Sequence, residues 1–347
     1  MNSPIPDPAC TRMFREAAEA GAVVRAQLER NRDAAAKLGA RLREAPPRAV
    51  VTCARGSSDH AATYAKYLFE TRTGVLVASA APSIASVYGA RQDLRDCLFL
   101  AISQSGRSPD LLSTLEAAKQ AGALTVALVN DEESPLATTA DYALPLCAGE
   151  EKSVAATKSY IASLAALAHL TAQWTGDGDI AKALARAPED LERAWQLDWQ
   201  AALDRLRPAH HLYVIGRGVG LGIAQEAALK CKETCGLHAE SFSAAEVRHG
   251  PQALLTEKFP ALLLAQDDET REGIEALARD LVARGVDVLL AGANAEGAIA
   301  LPTIASHPVI EPMLVAQSFY RMANALAIAR GCDPDRPPHL DKITETT

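Results

Sequence analysis

This sequence predicts two α/β domains of one design, each built on a parallel sheet. Three observations lead there. Short apolar runs with strand composition alternate with helical stretches, and that alternation produces parallel sheets. The strand, Gly-containing loop and helix of residues 49–71 recur at 211–235. A length of 347 residues with 48% hydrophobic content is enough for two cores.

Taken in order, residues 1–10 read as a loose tail and 13–42 as a helix rich in Ala, Glu, Arg and Leu, ended by Pro46-Pro47. A strand at 49–54 leads into the loop Arg55-Gly56-Ser57-Ser58 and a helix near 59–71. A short strand near 75–78 and a helix near 82–88 follow. The strong strand 97–103 runs into Gln104-Ser105-Gly106-Arg107-Ser108-Pro109-Asp110, and Pro109 suits the first turn of a helix to about 120. Next come a strand at 123–129, a turn at Ser134-Pro135, a short strand at 142–146 and a helix over 155–174. Gly176-Asp177-Gly178-Asp179 marks a boundary, and 180–206 reads as a helical connector. The plan then repeats, with a strand at 211–216, a Gly loop at 217–220, a helix at 222–235, a strand at 260–266, a helix at 270–284 and a strand at 286–292. The expected division is 1–45 tail and helix, 46–178 first domain, 179–207 connector, 208–330 second domain and 331–347 C-terminal tail.

Composition narrows the function. The net charge is −8 and no basic cluster appears, which argues against nucleic acid or an anionic membrane as partner. No run of 18 apolar residues exists, and the Pro-rich start MNSPIPDPAC lacks the apolar core of a signal peptide, so a cytoplasmic location is expected. The seven cysteines are odd in number and irregularly spaced, as suits reduced thiols. Cys231, Cys235 and His238 lie close together, but no second ligand pair follows at zinc-site spacing, so packing is the better account.

The chemistry concentrates in residues 225–251, QEAALKCKETCGLHAESFSAAEVRHGP. Glu226, Lys230 and Glu233 fall at i, i+4 and i+7, one face of a helix whose other residues are small or apolar. Charges on a packed helix are costly unless paired or used. Gly236 stops the helix, a polar stretch follows, and Glu246 and His249 precede the Gly250-Pro251 turn. Carboxylates, an ammonium and an imidazole are equipment for general acid–base work on a polar small molecule. The plain alternative is an amphipathic helix with an ordinary Glu226–Lys230 pair beside an unrelated loop.

A serine-rich turn between a buried strand and a helix N-terminus is an anion cradle, because backbone N–H groups are unpaired there and the helix dipole is positive. Ser103, Ser105 and Ser108 add hydroxyls, and Ser58 joins them if its strand is a neighbour. Helix capping would explain Ser108 alone. In the second copy the matching loop is Gln266-Asp267-Asp268-Glu269-Thr270, whose acids would repel a phosphate. Gly216, Gly218 and Gly220 resemble a dinucleotide fingerprint, but Leu221 stands where the third glycine of that fingerprint is required, and no Walker A sequence occurs.

Together the segments SQSG (103–106), GEEKSVAATK (149–158), EAALKCKE (226–233), HAES (238–241), EVRHGP (246–251) and DPDRPPHLDKITET (333–346) resemble the sugar isomerase (SIS) family. Within it they are most similar to the isomerase half of the glutamine–fructose-6-phosphate aminotransferases. The resemblance implies two tandem SIS domains, each a doubly wound parallel sheet flanked by helices in a flavodoxin-like, three-layer α/β/α arrangement. It implies that Ser58, Ser103, Gln104, Ser105 and Ser108 hold a sugar phosphate, and that Val154–Ala156, with Glu151 nearby, line the sugar hydroxyls. Glu233 would move the proton between C1 and C2. His249 would open the sugar ring, lent by the neighbouring subunit of a homodimer. Lys230 and Glu226 would support the site, and Lys342 would reach the carbonyl end, where a lysine can form an imine. No metal and no organic cofactor is expected.

Departures from the family shape the expected reaction. The sequence has no counterpart of the family's glutaminase domain, so a chain that does not draw ammonia from glutamine is expected. Relatives of that kind include sugar-phosphate deaminases and deglycases. Arg107 replaces a usually acidic residue, and Ala156 stands where a serine is common. The expected activity is that of an SIS-type glucosamine-6-phosphate deaminase. The alternatives are an isomerase, deglycase or aminotransferase of another substrate, galactosamine 6-phosphate or a fructosamine phosphate, and a non-catalytic phosphosugar sensor. A sensor would need a helix-turn-helix, for which residues 1–45 are too short.

Overall fold

The computed structural model describes residues 7–342. The first six residues of the expected tail, and residues 343–346 of the C-terminal matching segment, lie outside the described residues. In chain order, α1 (Arg12–Ala18) and α2 (Ala20–Glu44) precede β1 (Ala49–Cys53), α3 (Ser57–Thr73), β2 (Val77–Ser79) and α4 (Ser83–Ser86). Then come β3 (Cys97–Ser103), α5 (Pro109–Gln120), β4 (Leu124–Val129), α6 (Pro135–Thr139), β5 (Tyr142–Pro145), α7 (Lys158–Thr175), α8 (Gly178–Trp195) and α9 (Gln200–Leu206). The second run is β6 (His211–Gly216), α10 (Leu221–Cys235), β7 (His238–Ser243), β8 (Pro260–Leu264), α11 (Arg271–Ala283), β9 (Asp287–Ala291), β10 (Ile299–Leu301) and α12 (Glu311–Ala329).

The chain forms two compact units, one of Ala22–Glu150 with Ser159–Arg186, the other of residues up to Gly21 with Glu151–Lys158 and Ala187–Lys342. Each holds one five-stranded, wholly parallel sheet. The first has the order β2-β1-β3-β4-β5 and the second β7-β6-β8-β9-β10, the same doubly wound winding twice. Central strands are apolar along their length because both faces are covered: every residue of β3 is buried. In the first unit Phe99 and Ala101 of β3 pack with Leu111, Leu115 and Ala118 of α5. In the second, Ile215 and Leu263 pack with Ile274, Leu277 and Leu281 of α11.

Several expectations are corrected. The N-terminal helix is broken at Glu19, whose backbone N–H bonds back to Glu16 and Ala17. Ser134-Pro135 opens the short helix α6, with Ser134 as its cap, rather than a simple turn. The connector is two helices, α8 and α9. The polar stretch after Gly236 contains β7, a strand pairing with β6 in the register His211↔His238 to Gly216↔Ser243. As an edge strand it exposes His238 and Glu240, so its composition is polar. Residues 293–330, unassigned above, form β10 and α12, a helix buried on almost every side.

Glycine permits one close helix crossing. A Cβ on Gly39 of α2 would lie 2.6 Å from the carbonyl carbon of Gln173 in α7. We expect Gly39→Ala to destabilise the protein by about 1–3 kcal/mol through overpacking, although alanine is the better helix former. Urea denaturation measures this, and equal or greater stability would contradict the close crossing.

Candidate active site

Two serine-bearing turns stand side by side in the first unit because β1 and β3 are paired neighbours. Ser58 lies in the first turn of α3, and Ser103 to Ser108 connect β3 to α5. The second turn is rigid. Gly106 has φ +63°, and a Cβ there would collide with Ser134. Its N–H donates to Ser103 Oγ at 3.1 Å, and its carbonyl accepts from Leu136 N at 3.2 Å. Ser105 Oγ accepts from Arg107 N at 3.3 Å, and the exposed Arg107 guanidinium pairs with Asp131 at 2.7 Å. Ser108 occupies the cap position of α5 but makes no side-chain capping bond, so capping does not account for its hydroxyl.

The second unit carries the charged row. On α10, Lys230 is only 1% exposed, and its Nζ lies 2.6 Å from Glu233 Oε2 and 3.4 Å from Glu226 Oε1. Glu226, also buried, accepts from Tyr320 Oη of α12 at 3.0 Å. Glu233 is the outermost of the three, its side chain 21% exposed. Burial pushes the Lys230 ammonium down, but the two carboxylates outweigh burial and hold it above the usual lysine range. Gly236, at φ +56°, then ends α10.

Around Glu151 a further set assembles in the same unit. The buried Glu151 carboxylate accepts from Thr157 N at 2.9 Å and from Lys342 Nζ at 3.2 Å. Lys342 also donates to Ser153 O at 2.7 Å. Glu16 receives Lys152 N and Ser153 N at 2.6 and 3.1 Å, fixing the segment that contains Val154 and Ala156. Asp335 caps α1, accepting from Arg12 N and Met13 N at 2.8 Å each, and its carbonyl accepts from Val154 N at 3.5 Å. The C-terminal tail is thereby laid along residues 151–158.

His249 ends the exposed 3₁₀ turn Glu246–His249. No hydrogen bond or ion pair among the described residues joins it to the Glu226–Lys230–Glu233 row. Cys231 and Cys235 are buried. Burial, the largest cause, pushes the Cys235 thiol up to about 12, which keeps it protonated and poorly reactive. The acidic loop of the second copy satisfies itself: Asp268 accepts from Thr270 N at 2.8 Å and from Gln266 Nε2 at 2.8 Å, while Asp267 pairs with Arg271 at 2.7 Å. Gln266 Nε2 also reaches Arg217 O at 2.9 Å, and a Cβ on Gly220 would clash with Gln266, so the glycines there serve packing.

The structure therefore joins Glu226, Lys230 and Glu233 in one set and Glu151 and Lys342 in another, both in the second unit, and places Ser58, Ser103, Gln104, Ser105 and Ser108 on neighbouring turns of the first. Sequence reading missed Tyr320, Glu16, Asp335 and an Arg55–Asp110 ion pair. Of these, only Arg55 and Asp110 had a signal, each flanking a serine turn. Among the described residues no helix is long and apolar enough to cross a membrane.

The SIS domain pattern matches residues 44–172 and again 205–315. The isomerizing glutamine–fructose-6-phosphate aminotransferase of Zymomonas mobilis is 34% identical over 315 residues, 84% of this chain and 51% of that protein. The chain spans about half the length of the curated relatives it matches. A crystal structure of a candidate phosphosugar isomerase from Silicibacter pomeroyi DSS-3 is 42% identical with a TM-score of 0.90, covering 94% of this chain and 100% of that one. The C-terminal domain of glucosamine-fructose-6-phosphate aminotransferase from Francisella tularensis is 26% identical with a TM-score of 0.86, covering 97% and 100%.

The lysine row sets two expectations. Lys230→Met should cost about 3–5 kcal/mol, because it removes the ammonium that faces the buried Glu226 carboxylate, and Glu226→Gln in the same chain should recover much of that. Because the folded pKa of Lys230 is raised, its contribution is complete below the unfolded value and lost as pH climbs through the folded one. The urea midpoint should therefore fall more steeply above about pH 10.4 in the unaltered protein than in the double variant. Parallel slopes would contradict the assignment.

Proposed function

The chain belongs to the SIS domain family, and from that membership we propose that it is an aldose–ketose isomerase of amino-sugar phosphates working as a glucosamine-6-phosphate deaminase. The observation that carries the reading is the α10 row, in which buried Lys230 binds Oε2 of the partly exposed Glu233. Oε1 is left to accept and return a proton.

In the proposed sequence the serine turns hold the phosphate and His249 assists ring opening. Glu233 removes the proton at C2, giving an enolamine, and delivers it to C1. The product is a ketose imine, and water adds at C2 to release ammonia and fructose 6-phosphate. Hydrogen lost at C2 reappears at C1, and the water oxygen becomes the ketose carbonyl. Lys342 bonds to Glu151 and Ser153 in the segment proposed to line the sugar, which supports a role for its ammonium at the carbonyl end.

The test is release of ammonia and fructose 6-phosphate from glucosamine 6-phosphate by the purified chain. Equal amounts of both are expected, with Glu233→Gln slower by at least about 10²-fold, the scale of general acid–base catalysis. Sugar isomerisation without ammonia would leave an isomerase and remove the deaminase. Activity unchanged in Glu233→Gln would remove the mechanism.

We extend the proposal to a homodimer in which His249 acts on the partner subunit's site. It is supported by the exposure of His249 and its lack of a bond to the α10 row. Mixing inactive Glu233→Gln and His249→Ala chains should restore part of the activity. None, with mixed dimers demonstrated, would place each site within one chain.

A further inference from the structure

The sequence groups His238 with Cys231 and Cys235, but the structure separates them. Both thiols are buried, whereas His238 opens β7 at the exposed edge of the second sheet. Its partner is His211, the register neighbour that opens β6. The two Nδ1 atoms lie 3.3 Å apart, with ring centroids 5.5 Å apart and planes at 85°. His211 also stacks on Phe259 at 6.2 Å, and Phe259 meets Tyr213 edge-on at 5.0 Å, so an aromatic floor steadies the imidazole. As a hydrogen bond 3.3 Å is long, beyond the usual N–H···O range of about 2.7–3.2 Å. As a chelating separation it is well sized. Bonds of about 2.0–2.1 Å from two nitrogens that far apart meet at about 104–111°, near the tetrahedral angle that zinc adopts. His238 is exposed and has room to turn its lone pair toward that point. Each ring then carries its proton on Nε2. The ring whose Nδ1 holds the shared proton moves it to its own Nε2 through water, so no net proton is released. Among the described residues no third histidine, cysteine or carboxylate completes a set, so water fills the other positions.

We propose that His211 and His238 form a surface site for a divalent transition-metal ion such as zinc or nickel, which clips the edge strand β7 to β6. Imidazole nitrogens suit these ions, while magnesium and calcium prefer oxygen ligands and are not taken. The site lies at the amino ends of the two strands, away from the carboxyl ends where such sheets bind their ligands. It therefore goes beyond the proposed reaction and does not depend on it.

Calorimetric titration of the full chain with Ni²⁺, Zn²⁺ and Mg²⁺ at about pH 7.5, above the ordinary imidazole range, tests this. Nickel and zinc should each bind at a site that His211→Ala and His238→Ala weaken at least about tenfold, since one nitrogen alone loses the chelate advantage. His211→Phe should weaken it as much while keeping a ring to stack on Phe259, so it reports even if the alanine variant disturbs the fold. His210→Ala, which removes the neighbouring exposed histidine, should leave binding unchanged, and magnesium should not bind there. Nickel should also raise the melting temperature of the unaltered chain, by about a degree or more, and not that of the His211 or His238 variants. Metal binding of equal strength in all the variants would assign the ion to other groups, thiols included, and overturns the inference. So does the absence of nickel and zinc binding, which leaves an ordinary hydrogen-bonded pair. Neither result bears on the deaminase reading.

Discussion

A lysine ammonium buried in the second unit is the constraint on which the site depends. Lys230 is tolerated inside a packed helix only because Glu226 and Glu233 flank it one turn to either side. Glu226 in turn needs the hydroxyl of Tyr320, so α10 must lie against α12 at that level. The row is graded, buried at Glu226 and partly open at Glu233. The small residues Ala224, Ala227 and Ala228 give α10 room to sit within the core, and Glu233 is the end of the row that stays partly open.

The two sheets have one winding and different loops. In both, the chain leaves the carboxyl ends of the strands where a ligand could sit. The first copy places serines there, with Gly106 bonded back to Ser103. The second fills the place with Gln266, Asp268 and Thr270, which bond mainly to one another, and with Asp267, which pairs with Arg271. Identical topology thus carries a serine-rich turn once and a self-satisfied loop once, and side chains rather than fold make the difference.

The C-terminal tail is structural as well as a candidate for chemistry. Asp335 adds to the Thr11 cap of α1 by accepting from the N–H groups of Arg12 and Met13, and Lys342 neutralises the buried Glu151. Such contacts let one short segment order α1 and residues 151–158 at once.

How much of this was legible depends on the range of the forces involved. Strand β3, helix α5 and strand β6 have the bounds read from the sequence, because apolar composition defines the strands and Pro109 marks the helix start. The α10 row was legible because i, i+4 and i+7 spacing is a local geometric fact. The strand β7 was not, because an edge strand with one wet face looks like a loop. Tyr320, Glu16 and Asp335 were not either, since their partners are remote in sequence and only folding brings them together. By itself the sequence determined the repeated winding, the serine turns and the charged helix face, all set by periodicity and neighbouring residues. The tertiary structure decided which carboxylates are buried, which cation neutralises each, and which end of the row stays open, because desolvation and long-range pairing do not exist until the chain is packed.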